Sequence, residues 1–187
     1  SGMIHINMGT MLGFITTDCA ISPKMLDAAL RESIEKTYNC VSVDGDTSTN
    51  DTLAALANGL AGNRTITSRN ADYRAFVKAL DALNTEMARK IAADGEGATH
   101  LIECSVNGAK SDLVARNLAK SVISSSLVKA AFFGKDANWG RILCAMGYSG
   151  ETFSQEGTSV FFNSGLGEIE VFHKGVPLNF DEAKAKT

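Results

Sequence analysis

The sequence has no run of like charges, no CxxC pair, and no stretch near the roughly 20 apolar residues that a membrane span needs. Each absence removes a class of function. With a formal net charge of -3 and no clustering of Lys and Arg, there is no basic stripe to hold nucleic acid. Nothing is long and apolar enough to predict a membrane helix. The four cysteines, Cys19, Cys40, Cys104 and Cys144, are far apart and have no His at metal-ligand spacing, so neither zinc nor a disulfide framework is expected. They read as buried thiols in a reducing compartment. His5, His100 and His173 form no cluster in the sequence, and no metal site or bound cofactor is expected. No secretory signal opens the chain, and cytoplasm is the expected location. There is no internal repeat and no low-complexity segment.

What is there is ordinary globular material, 44% apolar and 21% charged. A chain of 187 residues can build one substantial core or two small ones. The apolar run Met11, Leu12, Phe14, Ile15 predicts a strand. Ser22-Pro23 then reads as an N-cap and first helical position, with Met25, Leu26, Ala29, Leu30 and Ile34 at helical spacing over 22–37. Cys40 to Val43 reads as a short strand entering a polar loop. A helix is expected from about Asn50 to Gly59. The longest helix is expected over 70–93 on the stripe Tyr73, Phe76, Leu80, Leu83, Met87, Ile91, with Gly95 as a left-handed cap. Leu101 to Val106 alternates like a half-buried strand, and 111–123 reads as a helix capped by Ser111. Beyond Gly134 the texture changes. Residues 138–146 suggest a short helix, and 158–163 pairs with 168–173 as a hairpin across Ser164-Gly165-Leu166-Gly167. A boundary within 125–135 divides the chain into 1–128 and 129–187. Helices interleave with strands without a regular βαβ rhythm, so the fold class is α/β or α+β.

Four segments can carry chemistry. In Asn7-Met8-Gly9-Thr10-Met11-Leu12 the threonine precedes a strand, where such a residue ordinarily packs or hydrogen-bonds. It gains a role if the Gly9-Thr10 bond is cut. A free threonine amine, with a pKa near ~8, can act as general base for its own hydroxyl. Glycine at position 9 tolerates the backbone strain that favours attack on its carbonyl. The loop from Val43 to Thr52 holds three acids and four hydroxyls, enough to bind a cation, but not at EF-hand spacing. The local alternative is a loop that bonds its own backbone and caps the next helix. Glu96, between Gly95 and Gly97, suits an ammonium-bearing ligand through charge-assisted hydrogen bonds, and is otherwise an exposed turn residue. The run from Asp136 to Arg141 joins the only tryptophan to an arginine, as a binding element or as an aromatic anchor.

Taken together, the segments GMIHINMGTMLGFITTD, VDGDTSTNDT, DGEGATHLIE and KDANWGRILCAMG resemble the ornithine acetyltransferase/glutamate N-acetyltransferase family. They fall in its order and at its spacing, and the resemblance covers essentially the whole chain. It implies an α-β-β-α sandwich of the self-processing aminopeptidase type, followed by a smaller C-terminal α/β subdomain. It implies a precursor that cuts itself between Gly9 and Thr10, giving α and β chains that assemble as a hetero-oligomer. Thr10 would then be nucleophile and substrate contact, moving acetyl from N-acetylornithine to glutamate and releasing ornithine, with acetyl-CoA as a further donor in some members. Glu96 matches the family's substrate-binding glutamate. The family's oxyanion Thr-Gly pair and other substrate contacts would lie outside this stretch, so the chain alone is expected to be inactive. Three positions depart from the pattern: Ile6 stands for proline, Gly9 for alanine and His100 for lysine. The alternatives are a self-processing aminopeptidase of the same architecture, or a non-catalytic piece that keeps the scaffold.

Overall fold

A computed structural model describes residues 11–186. The chain divides into two compact units, Ser1–Leu101 and Ile102–Thr187. The change of texture at 125–135 therefore lies inside the second unit.

In the first unit, β1 (Leu12–Thr17) runs parallel to β2 (Thr52–Ala57), with Leu12 opposite Thr52 and Thr17 opposite Ala57. Between them comes α1 (Pro23–Ile34), and after them α2 (Ala71–Ala93). Both helices start where capping chemistry predicts. The Ser22 hydroxyl accepts from the Met25 amide, and the Asn70 side chain accepts from the Tyr73 amide at 2.9 Å. Ile21, Met25, Ala29, Ile66, Tyr73 and Leu80 make the core, with Ile15 and Ala57 of the strands packed against it. The opposite face of the strand pair is apolar and exposed: Leu12 is 72% exposed, Phe14 70% and Leu56 56%.

α1 and α2 are also joined by a buried polar pair. Asn84 donates to the Ser33 hydroxyl at 2.8 Å and accepts from the Tyr38 hydroxyl at 3.5 Å. Both Asn84 and Ser33 are fully buried, so the bond replaces lost water rather than adding to it. Asn84→Ala strands the Ser33 hydroxyl, and the expected loss is about 1–3 kcal/mol of unfolding free energy, read by urea denaturation of the complete protein.

Several expectations change. The segment expected as a helix from Asn50 to Gly59 is strand β2. Thr52–Ala57 is rich in Leu and Ala, but it is too short for a stable helix, and its backbone groups are taken by β1. The expected strand at Cys40 to Val43 opens instead with a 3-10 turn, Tyr38–Cys40. Gly95 is not the left-handed residue; Gly97 is, at φ 68°. Residues 101–106 keep the alternating exposure of a strand but form no strand ladder among the described residues.

In the second unit, α3 (Asp112–Ser124), α4 (Ser126–Phe133) and α5 (Trp139–Gly147) close on Leu118, Val122, Val128, Ala145 and Met146. Their shared core is why a division at 125–135 does not separate two compact bodies. The hairpin forms as expected from β3 (Val160–Ser164) and β4 (Gly167–His173), extended by β5 (Val176–Pro177). Val160, Val171 and Phe172 are its core, and Trp139 stacks on Phe172 with ring centroids 5.0 Å apart. A short α6 (Glu182–Ala185) ends the described chain. No helix among the described residues is long and apolar enough to cross a membrane.

Candidate functional site

Gly9 and Thr10 lie outside the described residues, as do His5 and Ile6. The residue joined to Thr10 is described, and its surroundings are specific. The Met11 amide donates to Asp51 Oδ1 at 2.7 Å, and the Met11 carbonyl accepts from the Thr52 amide at 2.8 Å. Met11 is thus held on both sides by the segment that opens β2. The other carboxylate oxygen, Asp51 Oδ2, is buried and has no hydrogen-bond partner among the described residues.

The loop leading to Asp51 is built from its own polar side chains. Asp44 accepts from the Asp46 amide at 2.9 Å, Ser48 from the Asn50 amide at 3.1 Å, and the Thr49 hydroxyl donates to Asn50 Oδ1 at 2.5 Å. The short polar side chains stand in for backbone partners, as in Asx and Ser/Thr turns. This matches the local alternative, except that the loop feeds a strand and not a helix. Among the described residues, no three of His, Cys, Asp and Glu gather as a metal-ligand group.

Glu96 sits on the turn after α2 and is exposed. The turn closes through the Ala98 amide, which donates to the Gly95 carbonyl at 2.9 Å. Gly95 is closely approached: a Cβ there would stand 3.0 Å from Val43 Cγ1 and 3.3 Å from the Ala92 carbonyl, so these neighbours would have to give by a few tenths of an ångström. Val43 opens the acidic loop. Two segments some fifty residues apart in sequence therefore meet in one unit, Val43 against Gly95, with Glu96 on the turn beside that contact.

The remaining candidates resolve locally. Asn138 caps α5 by accepting from the Arg141 amide at 3.1 Å, and donates to Asp136 at 3.0 Å. Arg141 donates to the Leu127 carbonyl at 2.8 Å, which ties α5 to α4. With Trp139 stacked on Phe172, this segment anchors the helices of the second unit to its hairpin. His100 lies against the Thr99 hydroxyl at 2.8 Å, and His173 against Glu170 at 2.6 Å. The reading of all four cysteines as buried is corrected: Cys144 is exposed and the others are partly buried. All four are free thiols, and burial pushes the Cys104 thiol up to about 11.

Asp51 lies within VDGDTSTNDT, and no local pattern in the sequence gives it a role. Its only local signal is an acid one residue before a strand, while the partner amide is forty positions away.

The architecture defines a mixed α and β chain with an acid-led strand pair directly after a Gly-Thr junction. Comparison then specifies it. The ArgJ family profile matches residues 1–187. The chain is 54% identical to the arginine biosynthesis bifunctional protein ArgJ 1 of Clostridium acetobutylicum, over 100% of this chain and 46% of that protein. It is 47% identical to the arginine biosynthesis bifunctional protein ArgJ of Thermotoga neapolitana, over 100% of this chain and 47% of that protein. The crystal structure of the arginine biosynthesis bifunctional protein ArgJ from Bacillus halodurans superposes with a TM-score of 0.88 at 45% identity, covering 95% of this chain and 81% of that one. The chain belongs to the ArgJ family. It spans about half the length of the curated relatives it matches.

Proposed function

We propose that the complete protein is a self-processing N-acetyltransferase of arginine biosynthesis, acting through Thr10. The carrying observation is the family match across residues 1–187. In the first event the Thr10 hydroxyl attacks the Gly9 carbonyl. The amide becomes an ester as the Thr10 nitrogen takes a proton. Water then splits that ester, leaving a Gly9 carboxylate and a Thr10 bearing both a free amine and its hydroxyl.

In turnover, the amine accepts the hydroxyl proton as the oxygen attacks the acetyl carbonyl of N-acetylornithine. Ornithine leaves with a proton on its amine, and acetyl stays on Thr10 as an ester. Glutamate's amine then takes the acetyl and restores the hydroxyl. Glu96 binds an ammonium group of the ornithine substrate, for which an exposed carboxylate on a tight turn is suited. No cofactor enters this chemistry, and acetyl-CoA is the second donor to try. The exposed apolar face bearing Leu12, Phe14 and Leu56 supports assembly with the α chain of the same precursor, which would cover it. We assign the assembled enzyme to the cytoplasm.

The test is acetyl transfer from N-acetylornithine to glutamate by the complete gene product. Parallel lines in double-reciprocal plots, the signature of a ping-pong mechanism, are expected. Intersecting lines, or hydrolysis of β-amino-acid amides in place of transfer, would overturn the reading.

A further inference from the structure

We propose that Asn107 is a site of spontaneous deamidation that yields isoaspartate, a modification independent of the acyl-transfer reading above. The sequence holds two Asn-Gly pairs, Asn58-Gly59 and Asn107-Gly108. In such a pair the glycine nitrogen can reach the asparagine Cγ, because no Cβ on the glycine opposes ring closure. The chemistry needs only water. The Gly108 nitrogen attacks Asn107 Cγ, a new N–C bond forms, and the Cγ–Nδ2 bond breaks. Ammonia leaves with the proton that Gly108 gives up, and a five-membered succinimide remains. Water then opens the ring at one of two bonds. Opening between Cγ and the Gly108 nitrogen gives aspartate. Opening at the main-chain carbonyl gives isoaspartate, with the chain rerouted through Cγ. Either product adds a negative charge ahead of α3.

The two pairs match in dipeptide and backbone, and differ in what the fold does to them. Both asparagines are exposed, and both glycines have φ 75°. Asn58 is held at the end of β2. Its Oδ1 accepts from the Leu60 amide at 3.0 Å, and its own amide donates to the Thr17 carbonyl at 3.1 Å. A Cβ on Gly59 would stand 3.8 Å from the Ala20 Cβ. Asn107 has none of this. Among the described residues, neither its side chain nor its main chain has a hydrogen-bond partner, and a Cβ on Gly108 would meet nothing within 4 Å. It follows the segment 101–106, which joins no ladder there, and precedes the Ser111 cap of α3. Little opposes the swing that brings Asn107 Cγ onto the next nitrogen, whereas Asn58 must first break its bond to Leu60.

The complete wild-type protein tests this, so no variant has to fold. It is incubated folded in warm, mildly alkaline heavy-oxygen water, then digested in ordinary water and mapped by mass spectrometry with fragmentation that separates isoaspartate from aspartate. Peptides carrying residue 107 are expected to gain one heavy oxygen and to hold more isoaspartate than aspartate. They are expected to convert about tenfold faster than peptides carrying residue 58, the factor that one hydrogen bond of ordinary strength commands. In urea the gap should close, because it belongs to the fold and not to the dipeptide. Conversion at 58 as fast as at 107 in the folded protein, or a gap that persists in urea, would overturn the proposal. So would a product at 107 that is aspartate alone, or no conversion there while the unfolded protein converts.

Discussion

Thr10→Ala in the complete precursor is expected to leave one uncut chain with no acetyl transfer above background. The substitution removes the hydroxyl, which has two proposed duties, together with the γ-methyl group. Without the hydroxyl nothing attacks the Gly9 carbonyl, so the Gly9-Thr10 bond persists. Without that cut no free amine appears at residue 10, and no ester can carry acetyl. Loss of the nucleophile from acyl-transfer sites costs on the order of 10⁴- to 10⁶-fold in rate, far beyond any effect of altered packing. Thr10→Ser is the informative partner. It restores the hydroxyl but not the methyl group that limits side-chain rotation, so it is expected to cut and turn over more slowly than wild type. Intact mass and a steady-state assay read both variants, and a thermal melt shows that each remains folded. A Thr10→Ala protein that splits at the same junction would remove Thr10 from the mechanism.

The second large effect is expected at Glu96. Its side chain is exposed, on a turn shaped by Gly95 and Gly97, so truncation leaves the described packing intact. Glu96→Ala should therefore cut itself as wild type does. What it loses is a charged partner for the substrate ammonium. Hydrogen bonds to charged groups are worth about 1.5–3 kcal/mol, which corresponds to a fall of roughly 10- to 100-fold in kcat/KM for N-acetylornithine. Glu96→Gln keeps an acceptor without the charge and should fall between the two. Unchanged kinetics in Glu96→Ala would remove the residue from the site.

Much of the local structure is legible in the residues, because local chemistry decides it. Ser22 and Ser111 cap the helices expected from them, and the glycine-rich turn after Ser164 makes the hairpin. The failures have one cause. Thr52–Ala57 has the composition of a helix and becomes a strand because β1 lies alongside it, a fact that no local pattern carries. Gly95 is crowded by the approach of Val43 and has no left-handed backbone angle, and Val43 is remote in sequence. Asp51 shows the same limit at the candidate site, since its meaning depends on an amide forty residues earlier. Only motif context marks Thr10 and Glu96. Neither a threonine before a strand nor a glutamate in a turn is distinctive by itself.

The most direct measurement is to locate the acetyl group. Mature enzyme is mixed with N-acetylornithine in the absence of glutamate, quenched in acid so that the amine is protonated and cannot capture the ester, digested, and sequenced by mass spectrometry. The account predicts one acetyl per β chain, on the Thr10 side chain, lost when glutamate is added before the quench. Acetyl on a different residue, or turnover with no acetylated protein at any time, would contradict it.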